Sequence, residues 1–168
     1  MKKISKDGLL LCEFQAEVFE NSVNKMDTSS GIFIRRFMKS EIAKQFDNES
    51  ILESNIQAND VLELINEEYG VSNYGSEKYT RNEIYWIGYI YRYFAFTYDL
   101  TSARVYKIVK PKELRSLFLP YHTMDPSQAI ERILEAKGVV NDETEELKHQ
   151  YEIFKRIRNG RNNYRKLL

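Results

Sequence analysis

Three groups of residues in this 168-residue chain could do chemistry. The first is the turn Pro120-Tyr121-His122-Thr123-Met124-Asp125-Pro126. A His that leans on a carboxylate can act as a general base, so Tyr121, His122 and Asp125 make an enzyme-like constellation. The same residues have a plain structural use, with Asp125 as an N-cap and Pro126 as the first residue of a helix. The second group is Arg35-Arg36, set between Ile34 and Phe37. It could anchor a partner or a phosphate, although neighbouring helical residues splay apart and one Arg could simply pair with a carboxylate. The third group spans Ala95 to Val105. A helix-turn-helix needs a small residue late in its first helix, a tight turn, an apolar plug, a hydroxyl cap and a branched residue facing back. Ala95, Asp99, Leu100, Thr101 and Val105 fill those slots in order, with Asp99 where Gly is usual. Asp tolerates the left-handed backbone of such a turn better than most residues. The second helix would present Ser102, Arg104 and Lys107, with Lys110 and Lys112 close by, as ligands for base edges and phosphates. A plain helical hairpin shares much of this grammar.

Other chemistries lack their residues. His122, His149 and the single Cys12 are far apart in sequence, and no Cys-x-x-Cys or His-x-x-x-His pair occurs. No Gly-rich segment leads into a helix with a Gly-Lys-Ser/Thr ending. Neither a metal nor a cofactor is therefore expected.

The elements that must position these groups read as helices. Leu10, Phe14, Val18 and Phe19 share one face of a helix over about 9–23, with Asp7 as its cap. Ile32 to Phe46 reads as one apolar stripe closed by Asp47-Asn48-Glu49-Ser50. A third helix covers Ala58 to Glu68 and stops at Gly70. Asn82 to Tyr98 is the centre, apolar and aromatic on nearly every side, and too long for a strand, which usually runs ~4–8 residues. Gly88 within it marks a close backbone crossing. A helix-turn-helix-like element follows over 90–109, then helices from Pro111 to Leu119, ended by Pro120, from Pro126 to Lys137, and from Asp142 to about Arg158. The expectation is an all-α fold: one compact multi-helix domain, 1–168, built around the aromatic helix at about 82–98, with 159–168 a frayed tail.

Aromatic residues make up 13% of the chain and the formal net charge is zero, from 25 basic and 25 acidic residues. That composition fits a folded domain, not a disordered one, and excludes a whole-chain basic field for nucleic acid. Charge is unevenly placed all the same. Residues 1–76 hold 8 Lys/Arg against 13 Asp/Glu, and 149–168 hold 6 against 1. A lone Cys fits a reducing cytoplasm, and the apolar run Leu9–Cys12 is too short for a signal peptide or a membrane span. A cytoplasmic protein is expected.

Three blocks carry a resemblance: Ile32-Phe33-Ile34-Arg35-Arg36-Phe37-Met38; Tyr85-Trp86-Ile87-Gly88-Tyr89-Ile90-Tyr91-Arg92-Tyr93; and Tyr106–Pro111 continuing through Leu119–Arg132. Over most of 9–137 the chain resembles a family of small bacterial proteins, mostly from Firmicutes. Similar proteins tend to sit beside genes for ADP-ribosyltransferase-like toxins, which implies an antitoxin-type role and no catalytic residues. The expectation is a protein that binds and neutralises a cognate toxin and could also repress its own operon. Its partner-contact candidates are Arg35, Arg36, Tyr89, Arg92, Tyr93, Tyr121 and His122. A DNA-binding regulator is the alternative, and an enzyme built on Tyr121, His122 and Asp125 the third reading.

Overall fold

The computed structural model describes residues 1–138, 148 and 150–158. Among the described residues all regular structure is helical. Eight α-helices run in the order α1 (Lys6–Lys25), α2 (Ser30–Met38), α3 (Glu41–Asp47), α4 (Ala58–Tyr69), α5 (Arg81–Thr97), α6 (Ser102–Ile108), α7 (Pro111–Tyr121) and α8 (Pro126–Ala136), with a 3-10 turn at Ser50–Glu53. Residues 150–158 are also helical. The all-α expectation holds. By its internal contacts the chain divides into two units, Met1–Ser127 and Gln128–Leu168.

Capping residues set the boundaries. Ser5, not Asp7, starts α1, its hydroxyl accepting from Gly8 N at 3.1 Å. The expected single helix over 32–46 is two helices, because Ser40 ends one and begins the next. Its hydroxyl donates to Phe37 O at 2.6 Å and accepts from Ala43 N at 3.1 Å. An N-cap hydroxyl of this kind satisfies a backbone donor that a helix start otherwise leaves open. Thr80 and Glu83 close a reciprocal capping box at the start of α5. Pro120 does not stop α7. It lies inside the last turn, and the helix ends where His122 N donates to Phe118 O. The loss of one donor is small so near a C-terminus, where carbonyls lack intrahelical partners anyway.

In the first unit α5 is the buried axis. Ile84, Ile87, Ile90, Tyr91 and Phe94 are at most 2% exposed, as the near-continuous apolar sequence demands. Gly88 explains how α1 reaches it: a Cβ there would stand 2.8 Å from Cγ of Phe19. Phe19 in turn packs edge-on against Phe33 and Phe37 of α2, and Phe37 against Phe46 of α3. This aromatic cluster fixes the four helices together. In the second unit Ala129, Ile130, Ile133 and Leu134 form the buried side of α8. In 150–158, Tyr151, Ile153, Phe154 and Ile157 are exposed. The expected caps and tail at 139–147 and 159–168, with the basic Arg161, Arg165 and Lys166, lie outside the described residues.

Candidate functional site

The most polar part of the interior centres on Arg92, which is 2% exposed. It belongs to the aromatic face expected to meet a partner, yet its guanidinium points inward, between α1, α3 and α6. Its Nε donates to Gln15 Oε1 at 2.8 Å, and its two terminal nitrogens donate to Asp47 Oδ1 at 2.7 Å and Ser102 Oγ at 2.6 Å. Asp47 also accepts from Ser102 N at 3.0 Å and from Ser102 Oγ at 2.7 Å. Gln15 spends its amide on Gly88 O at 3.0 Å. Burial drives the Arg92 pKa down and the Asp47 carboxylate opposes that shift. A buried charge survives only when it is paired and hydrogen-bonded throughout, and here each nitrogen has an acceptor. Arg92 is thus a structural residue, not a partner contact. Ser102, expected to face DNA, is likewise 1% exposed and committed to this network.

The turn between α5 and α6 has the expected geometry. Asp99 sits at φ 52°, Leu100 N returns to Ala95 O at 2.9 Å, Thr101 accepts from Arg104 N, and Val105 is fully buried. Arg104, Lys107, Lys110 and Lys112 are exposed. Lys110 stacks its ammonium 4.2 Å from the centre of the Tyr106 ring, and Lys39 at the end of α2 approaches that ring to 5.4 Å. Lys39 and Lys110, far apart in the sequence, therefore meet at one tyrosine.

On α2, Arg35 and Arg36 open onto a cleft of about 560 Å³ lined by Ile32, Arg35, Arg36, Lys39, Tyr69, Ser72 and Tyr74. Its far wall is the loop after α4, and that loop is pinned. Arg36 donates to Gly70 O at 2.9 Å, Ser29 N to Tyr74 O at 3.1 Å, Ser30 N to Glu77 O at 2.9 Å, and Tyr79 N to Ser30 Oγ at 2.9 Å. Gly75 is what lets the loop lie so close: it sits at φ 78°, and a Cβ there would fall 2.6 Å from Ser29 Oγ. The wall so formed holds the Tyr74 ring 73% exposed and Tyr69 38% exposed. Arg36 also lies 5.5 Å from the Tyr69 ring centre. Burial, with the neighbouring Glu68, pushes the Tyr69 pKa up, so this phenol stays neutral. Arg35 has no hydrogen bond or ion pair among the described residues, and Lys39 only its contact with Tyr106.

The remaining candidates are scattered. Tyr89 is half-buried and stacks on Tyr93 at 6.4 Å. Its pKa is pushed up to about 12, by burial first and then by Cys12 and Glu13. Tyr93 is 9% exposed and shares a hydrogen bond with Ser127. In the enzyme-like turn, His122 stacks on Phe118 at 4.5 Å, and its Nδ1 donates to the carbonyls of Phe118 and Leu119 at 2.8 and 3.1 Å. Asp125 Oδ1 accepts from the backbone N and the hydroxyl of Ser127. Both side chains thus serve helix ends. No cluster of three His, Cys, Asp or Glu able to hold a metal occurs among the described residues.

Sequence reasoning found Arg35 and Arg36 but not Lys39, Tyr69, Tyr74, or the Asp47–Gln15 half of the buried network. Lys39 was within reach of it, four positions from Arg35 on the same helix face. No family model matches the chain, and neither a curated protein nor a solved structure matches it.

Proposed function

We propose that the chain is an antitoxin-like binding protein that captures and neutralises a cognate toxin, ADP-ribosyltransferase-like by resemblance, and that the α2 cleft is where it holds that partner. The observation that supports this reading is the cleft itself. It is concave, its wall is tied down by four hydrogen bonds to α2 and the residues just ahead of it, and it offers two exposed tyrosines beside cations without carboxylate partners. Tyr and Arg are the side chains most enriched at the energetic centres of interfaces, and a preorganised surface loses little entropy on binding. The test is co-expression with the product of the neighbouring gene. Growth should be rescued and the two chains should co-purify. Absence of both rescue and complex refutes the reading.

A second reading, a DNA-binding regulator, draws support from the well-formed α5–α6 turn and from the exposed Arg104 and Lys107. It must do without Ser102. Changing Arg104 and Lys107 together to Ala should abolish a gel shift with upstream operator DNA, and an unchanged shift refutes it.

A further inference from the structure

We infer that the ligand of the α2 cleft is a short acidic segment of a partner protein, with carboxylates set on Arg35 and Lys39 and an apolar or aromatic side chain on Ile32, Tyr69 and Tyr74. This inference rests on the partner-capture reading and adds the chemistry of what is captured.

Charge comes first. Arg35 and Lys39 stand four apart on one helix face, and like charges at that spacing repel. Lys110 adds a third cation at the Tyr106 ring that Lys39 also approaches. Elsewhere in the unit Lys44 pairs with Glu41 at 2.8 Å and Lys2 with Asp99 at 2.7 Å, whereas Lys107 and Lys112, like the cleft cations, have no such pair among the described residues. The cations at the cleft have none, so an incoming anion completes them. Arg36 keeps one N–H on Gly70 O and leaves the rest of its fork for a planar, bidentate acceptor, which a carboxylate is.

Shape and edges then favour a peptide over a nucleic acid strand. The Tyr69 end of the cleft is bordered by Glu68, whose carboxylate accepts from Glu41 N at 3.0 Å, and Tyr69 feels the charges of both Glu68 and Glu41. A strand carrying a phosphate at every nucleotide would meet that acidic edge, whereas a segment with spaced carboxylates can turn an apolar residue to it. A volume of about 560 Å³ lies within the range of pockets that enclose one compact ligand. Ile32, Tyr69 and Tyr74 supply apolar floor and walls, and a chain with zero net charge lacks the broad field that draws long polyanions.

The experiment is fluorescence anisotropy on the full chain with three labelled probes: the hexapeptide Glu-Glu-Leu-Phe-Glu-Glu, its all-Gln counterpart, and an eight-residue oligothymidylate. The acidic peptide should bind, the Gln peptide about tenfold or more weakly, and R35A/K39A should weaken the acidic peptide by a similar factor, since each of the two exposed ion pairs is worth about threefold. Both substituted residues are exposed, and a thermal melt of the variant checks that it folds. Raising salt from 0.1 to 1 M shrinks the screening length from about 10 to about 3 Å and should erase the preference for Glu over Gln. Tighter binding of the oligothymidylate than of the acidic peptide overturns the inference in favour of nucleic acid. No binding of the acidic peptide, or binding untouched by R35A/K39A, overturns it outright. A partner protein retained equally by R35A/K39A sinks the site and leaves the capture reading standing. Binding of the acidic peptide with no toxin captured does the reverse.

Discussion

Replacing Asp47 by Ala strands the Arg92 guanidinium. In the native chain Asp47 accepts from Arg92 at 2.7 Å and from both the backbone and the hydroxyl of Ser102, at the first residue of α6. After D47A the charge remains 2% exposed, with Gln15 and Ser102 as its remaining acceptors and the Phe46 ring 5.5 Å away. Removing one partner of a buried pair costs about 3–5 kcal/mol, which for a chain of this size lowers Tm by roughly 10 °C. The reverse change, R92M, leaves a milder defect, since the Asp47 side chain is 14% exposed and keeps Ser102. Its cost should be about 2–4 kcal/mol from the unpaired Gln15 oxygen and the lost pair. The informative variant is D47A/R92M, in which no charge is stranded. Urea unfolding followed by circular dichroism should place the double variant at least ~1.5 kcal/mol above the sum of the singles, because residues in one network couple. Additivity within about 0.5 kcal/mol would refute the claim that the two side chains act as a unit.

Two further substitutions or reagents probe the same core. G88A gains about 1 kcal/mol of helix propensity but drives a methyl to 2.8 Å from the Phe19 ring, and overpacking of that kind costs about 1–3 kcal/mol. A net fall in Tm is expected, and a rise would show that α1 and α5 are not in such close approach. Cys12 is fully buried and its pKa is pushed up to about 12, by burial first, against the opposing pull of Arg92. Only the thiolate reacts, so at pH 8 the native protein should resist iodoacetamide and label only as fast as it opens. Prompt labelling, measured by mass spectrometry, would contradict that burial.

Much of the fold was legible because helix signals are local. The aromatic run around Gly88, the stop at Gly70 and the Thr101 start of α6 each follow from residues within a turn of one another. The errors share a cause as well. Asp7 and Ser5 both qualify as caps, and only the packing of Gly8 against Phe96 and Ile4 selects the frame that Ser5 begins. Ser40 looked like one more polar residue in an amphipathic stripe, yet its hydroxyl serves both neighbours at once. The site was less legible. Arg92 sits among twelve aromatic and aliphatic neighbours over Ile84–Tyr98, a context that suits either an interface arginine or an interior one. Its acceptors decide between them, and two of the three, Gln15 and Asp47, lie 77 and 45 positions away. Tyr69 and Tyr74 flank a turn whose folding back onto α2 depends on Gly75 and Ser29, a long-range fit with no local pattern.

The buried network and the open cleft are connected through α6. Because Arg92 and Asp47 draw Ser102 inward, the first turn of α6 is fixed, and with it the direction of the rest of the helix. Val105 is then fully buried, and the Tyr106 ring lies where Lys39 and Lys110 approach it. A neutral pairing of polar groups would not hold this arrangement as firmly, since charge-assisted bonds are roughly twice as strong as neutral ones. The zero net charge of the chain therefore conceals a sorted surface. Burial raises the Tyr85 pKa, and Glu13, Glu20 and Glu17 of α1 lie near enough to add to that rise, while Arg35, Lys39 and Lys110 collect around the cleft and the Tyr106 ring. Sorting of this kind gives local complementarity and orientation without long-range attraction.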